Sequence, residues 1–164
     1  MSYRILLLLV HLLGTVTFFS NVVAALFWQQ RAARSREPAV VAYVFRTLNA
    51  GDLWITPISV VLLLASGVGL ALLGGLPLLA TGWILWSMAA FLASGLVFAF
   101  GVLPLQRRIA SWTTSAATLA ETAEFDWERY RREARRWSTP AHWSLGFALF
   151  ALIVMVVKPG LPAF

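Results

Sequence analysis

Of the 164 residues, 60% are hydrophobic and only 12% are charged, and the formal net charge is +6. A water-soluble domain carries about a quarter charged residues, so this chain lacks the polar surface to cover a fold exposed to water. It contains no cysteine, which excludes disulfides, thiolate metal sites, a thiol nucleophile and covalent haem attachment.

The first element is an apolar run from Ile5 to about Trp28, longer than the ~20 residues that cross ~30 Å of hydrocarbon as a helix. Arg4 in front of it and Ala24-Ala25 within it mimic a signal peptide. The run exceeds the ~7–15 residues of a signal core, however, and Phe27-Trp28-Gln29-Gln30 reads as an interfacial stop, so the segment is taken as a retained span. His11, Thr15, Thr17, Ser20 and Asn21 are its polar interior residues. An imidazole at bilayer depth costs free energy unless it finds a partner inside the protein, which makes His11 a candidate site.

Pro38 opens a helical run to about residue 50, with Val40, Val41, Val44, Phe45 and Leu48 on one side and Arg46 and Asn49 on the other. Asn49, Gly51 and Asp52 read as its break, with Asp52 as N-cap of a second span over 53–73. The run either lies in the headgroup layer or extends that span beyond the membrane. An uncharged link, Gly74–Thr81, leads to a third span over 83–103, which Pro104 ends or kinks.

Residues 105–137 form the longest hydrophilic region. Ile109, Trp112 and Leu119 are spaced for an amphipathic helix, and a second helical run begins near Asp126. Trp127, Tyr130, Ala134 and Trp137 line one face of that run, and Arg129, Arg131, Arg132, Arg135 and Arg136 fill much of the rest. The plain reading is an aromatic belt with arginines snorkelling to phosphate. The functional reading makes Trp127, Tyr130, Arg131, Arg135 and Trp137 a surface for anionic lipid headgroups or an acidic partner. Thr139-Pro140 then reads as N-cap and first-turn proline of a fourth span over 141–157.

Strands of ~10 residues would alternate in polarity, so the spans are helices. The fold class is all-α: a polytopic membrane protein, residues 1–164 forming one membrane domain, a four-transmembrane-helix bundle with amphipathic cytoplasmic segments at about 38–50 and 105–137. Four arginines fall in residues 29–52 and seven in 104–140, eleven of the thirteen basic residues. Both loops are therefore expected on the cytoplasmic side and both termini outside. The same placement accounts for the basic charge without nucleic acid.

In lipid, helices approach through small and weakly polar faces. Those faces are His11, Gly14, Thr15, Phe18, Asn21 and Ala25 on the first span, and Thr56, Ser59 and Ser66 on the second. Ser87, Ala90, Ser94 and Gly101 form one on the third, and Ala141, Ser144, Ala148, Ala151 and Met155 on the fourth. The short link predicts that the second and third spans pack as antiparallel neighbours.

These depths limit the chemistry. His11 and His142 lie roughly 15–20 Å apart along the membrane normal, too far to share a haem or a zinc ion. Met88 lies at a depth similar to His11, so a His11/Met88 haem is the remaining cofactor geometry. The span centres hold no Asp, Glu, Lys or Arg, which argues against an acid–base enzyme or a proton-coupled transporter. Glu121, Glu124, Asp126 and Glu128 lack cation-ligand spacing and read as a solvated face.

His11-Leu-Leu-Gly14, Gly82-Trp83, Pro104-Leu-Gln-Arg-Arg108 and Met155-Val-Val-Lys-Pro159 together resemble a family of predicted bacterial integral membrane proteins of unassigned function. More distantly, the first-span histidine and the closing Val-Val-Lys-Pro resemble the membrane protoporphyrinogen oxidase and copper-resistance membrane domain families. The oxidase resemblance implies haem b binding at His11. Ser87 or a neighbour stands where that family has a lysine. The expectation is a small protein of the bacterial inner membrane that acts without catalysis, as an accessory or binding component of a membrane assembly with other subunits. A haem- or tetrapyrrole-binding redox protein using His11 is the alternative.

Overall fold

The computed structural model describes residues 2–118 and 125–163. Helix α1 covers Tyr3–Ser35 and α2 covers Pro38–Leu73. Helix α3 covers Gly82–Val97, a π-helical turn follows over Phe98–Val102, and α4 continues over Leu103–Thr118. Helix α5 covers Trp127–Val157. The protein is all-helical among the described residues, with four helices long and apolar enough to span a membrane.

Helix length decides the architecture. Helix α1 has 33 residues and α2 has 36, which at 1.5 Å per residue makes each about 50 Å long against about 30 Å of hydrocarbon. The surplus of every long helix lies at one end, together with eleven of the thirteen basic residues. This arginine-rich end has a packed core of its own. Val41, Val44, Phe45 and Leu48 of α2 meet Ile109 and Ala110 of α4, Tyr130, Ala134 and Trp137 of α5, and Ala32 of α1. The apolar side of 38–50 thus becomes core, and the run extends the second span instead of lying flat on the membrane.

Two expected boundaries are absent, and at a third, Pro104, the helix is locally perturbed but not ended. Helix α2 passes through Asn49–Asp52 without a break. Pro104 does not end its helix: the π turn widens the backbone just ahead of it, which relieves the clash between the proline ring and the carbonyl four residues back. Pro140 lies inside α5, where Trp137 and Ala141 are buried on both sides of it and keep the helix continuous. Its ring faces Gly101 so closely that a Cβ there would lie 2.8 Å from Pro140 Cβ.

Within the membrane half the helices associate in pairs, α1 along α2 and α3 along α5. The expected neighbours α2 and α3 do not pack on each other. The small faces explain the choice. At Gly14, α1 approaches α2 so nearly that a Cβ would lie 3.0 Å from Leu63 N and 3.1 Å from Ser59 O. Ser94 of α3 donates to Ser144 O (2.8 Å), and Ser144 donates back to Ser94 O (3.1 Å). The residues after α5 return to the start of α3, where Trp86 donates to Pro162 O (3.1 Å) and Lys158 sits over the Trp83 ring. A ring contact between Phe18 and Phe91 bridges the two pairs.

Candidate functional site

His11 faces α2. Its Nδ1 lies 2.9 Å from Leu63 O and 3.2 Å from Ser66 Oγ, and the ring fits against Gly67, where a Cβ would lie 3.0 Å from Cε1. Ser66 donates to Leu62 O, and Thr15 donates to His11 O at 2.8 Å. With Nδ1–H given to the Leu63 carbonyl, the lone pair of the imidazole resides on Nε2. The same division of roles is seen in metal-bound histidines, whose second nitrogen donates to a carbonyl or carboxylate. Met88 is 36% exposed on α3, a helix that does not pack along α1, so the two expected haem ligands are not brought together. Ser87, next to it, is buried and donates to Trp83 O. His142 is at the other end of the bundle, exposed, with Nδ1 2.6 Å from Ser138 O of its own helix.

A second polar centre lies where the spans meet the arginine-rich end, and sequence reasoning missed it. Asp52 does not cap a helix; it projects from the middle of α2 into a hydrogen-bonded network. Its Oδ1 accepts from Asn21 Nδ2 of α1 (3.3 Å) and from Thr56 Oγ1 one turn on (3.2 Å). Its Oδ2 accepts from Gln106 Nε2 of α4 (2.6 Å). Gln106 Nε2 also donates to Asn49 Oδ1 (3.1 Å), and its Oε1 accepts from Trp137 Nε1 of α5 (3.1 Å). All four long helices meet in this network. Among the described residues no lysine or arginine is within ion-pair distance of Asp52. Polar Asn21 and Asp52 inside apolar surroundings were the available signal. The Asn-Ala-Gly-Asp run masked it by resembling a helix break.

Glu133 organises a third group. Buried at its base, it accepts from Arg108 Nη2 (2.9 Å), Trp112 Nε1 (2.7 Å) and Arg129 Nε (3.5 Å). The Arg129 guanidinium stacks 4.6 Å from the Trp112 ring centroid. Beside it, Asp126 caps α5 by accepting from Arg129 N at 2.8 Å. Glu121, Glu124 and Leu119 lie outside the described residues.

The expected aromatic and basic docking face divides into two parts. Tyr130 and Trp137 are only 1% exposed and stand edge-on to Phe45, with ring centroids 6.3 and 5.8 Å away. They belong to the core, because α5 runs straight out of the membrane half and its 130–134–137 face meets α2. Trp127 is half-buried against Phe125. Arg131 and Arg135 remain exposed and, with Glu128 and Arg132, line a shallow groove of about 310 Å³. Arg132 pairs with Glu128 at 3.5 Å. Arg131, Arg135 and Arg136 have no ion-pair partner among the described residues.

Residues 5–159 match the model of a family described as "Predicted integral membrane protein (DUF2269)". No curated protein and no solved structure matches the chain.

Proposed function

The chain belongs to the DUF2269 family of predicted integral membrane proteins, and we propose that it is a non-catalytic, accessory or binding component of an assembly in the bacterial inner membrane. One observation carries this reading: Arg131, Arg135 and Arg136, without an ion-pair partner among the described residues, stand on the outer face of a helix whose inner face, through Tyr130 and Trp137, is locked into a core. Such a face presents its guanidinium groups from a fixed backbone, and their planar forks suit carboxylates and phosphates. The positive-inside rule assigns this end to the cytoplasm, with both termini outside. The face is then presented to acidic partner subunits and to anionic headgroups of the inner leaflet. Purification in mild detergent is expected to recover a reproducible partner that Arg131→Ser/Arg135→Ser loses while the helical content is unchanged. Recovery of the same lone monomer with and without the double substitution contradicts the proposal.

A second reading is favoured by the orientation of His11. Its Nε2 lone pair is the atom that would hold a haem or other tetrapyrrole iron, while Leu63 O fixes the ring. Bound haem would supply redox chemistry, and the chain would supply the His11 nitrogen as a ligand together with apolar surroundings. The absorption spectrum of protein expressed with ample haem tests this. A Soret band lost in His11→Ala and kept in His142→Ala supports the reading, and a flat spectrum removes it.

A further inference from the structure

The local irregularities of the long helices converge on one layer. Asp52 and the π turn, through Phe98 and Val102, border a cavity of about 20 Å³, lined also by Gln106, Trp137 and Ala141, and the Pro140–Gly101 contact adjoins the lining residues Ala141 and Val102 in the chain. The cavity has room for a single water molecule. The hydrogen-bond roles in this layer are fixed by elimination. An indole N–H only donates, so Gln106 must present Oε1 to Trp137 and therefore Nε2 to Asp52 and Asn49. Asn21 and Thr56 also donate to Asp52. All three partners of this carboxylate donate, and all are neutral.

We propose that Asp52 is a proton-binding site whose occupancy sets how α4 and α5 seat on α1 and α2. The carboxylate form satisfies every donor around it. A proton on Oδ2 would face the Gln106 N–H across 2.6 Å, placing two hydrogens in a gap that holds one. A proton on Oδ1 is accepted by Thr56 Oγ1 only if that hydroxyl turns to a carbonyl of its own helix, and Gln106 is then left with a neutral acceptor. Charge-assisted hydrogen bonds are roughly twice as strong as neutral ones, so either route loosens the clasp between α2 and α4. Among the described residues no other titratable side chain lines the site. Helix α1 presents Asn21, Val22, Ala25 and Leu26, the α4 side presents Phe98, Val102 and Gln106, and α5 presents Trp137, Ala141 and Ser144. Glu133 of α5 is held by Arg108 and Arg129. The proton comes from water, because Asp52 is only half-buried. This inference is independent of the partner and haem readings.

Fluorine NMR of the full chain, labelled with fluorotryptophan and held in lipid nanodiscs, tests it. The chain has eight tryptophans, and Trp137→Phe identifies the Trp137 line. Between about pH 3 and about pH 9, spanning ordinary and elevated carboxyl titrations, this line is expected to move reversibly along a one-site curve. It should stay flat in Asp52→Asn. In Thr56→Val, which withdraws a donor from the carboxylate, the midpoint should shift to higher pH. A flat Trp137 line in the unsubstituted protein overturns the proposal, as does a titration that survives in Asp52→Asn. Should Asp52→Asn not fold, the Thr56→Val midpoint decides, and an unchanged midpoint overturns it. Spin labels at Arg46→Cys and Arg136→Cys, in a chain with no cysteine of its own, should show a broader distance distribution below the midpoint. An unchanged distribution contradicts the coupling to helix seating.

Discussion

At the arginine-rich end, Phe45, Tyr130 and Trp137 are sealed at 0%, 1% and 1% exposure. Through the membrane half, by contrast, helices meet at Gly14 against Ser59 and Leu63 and at Ser94 against Ser144. The difference follows from the solvent. Outside the bilayer, removing aromatic surface from water drives association. Inside it, lipid tails are as apolar as leucine, and only close approach and hydrogen bonds distinguish a neighbouring helix from lipid. One continuous α2 takes part in both regimes, changing from a Val-Phe-Leu core face before Asp52 to a Thr-Ser face after it.

Substitutions can break or sharpen this contrast. The largest effect is expected for Trp137→Ala, which empties a core site and leaves Gln106 Oε1 without its donor. A loss of about 3–5 kcal/mol is typical of such a truncation, read as a drop in denaturant or thermal midpoint in detergent. Gly14→Ala comes next. Its Cβ would press on backbone atoms at 3.0 and 3.1 Å, so α1 and α2 must part, at about 1–3 kcal/mol by the usual cost of overpacking.

Glu133→Gln weakens the acceptor of Arg108, Trp112 and Arg129. Because both arginines are about half exposed, solvent screening holds the cost to roughly 1 kcal/mol, and added salt should shrink the difference further. Ser94→Ala is the smallest, about 0.6 kcal/mol, the average for an interhelical hydrogen bond in a membrane. If Ser94→Ala proved as damaging as Trp137→Ala, the two halves would not differ in the way described.

The four spans were legible because length and apolarity are local properties of the chain. So were the buried small-residue positions Gly14, Ser59, Ser94 and Ser144, since a lipid-embedded contact needs those residue types. The helix continuity was not. Asn49–Asp52, Pro104 and Thr139-Pro140 are sound breaker signals taken alone, but the packing of Phe45, Ile109 and Trp137 across helices overrides them. Pair choice was equally hidden, because a short link brings α2 and α3 close in sequence while side-chain fit assigns α2 to α1 and α3 to α5. His11 was visible as the one imidazole in an apolar run, although its acceptor, the Leu63 carbonyl, carries no sequence signal. Tyr130 and Trp137 were read as an aromatic belt or docking surface because an aromatic face at helical spacing looks the same whether it meets headgroups or another helix.

Both halves of the contrast require the long helices to continue beyond the bilayer into a packed, water-facing bundle, and hydrogen–deuterium exchange in lipid nanodiscs tests that directly. Amides of residues 41–48 and 130–137 have no lipid to shield them, so only helical hydrogen bonds within a sealed core can slow their exchange. Slow exchange there, continuing without interruption through residues 49–53, is the predicted result. Rapid exchange across residues 41–53 would contradict the continuous α2 and, with it, the core that fixes Trp137, Gln106 and Asp52 in place.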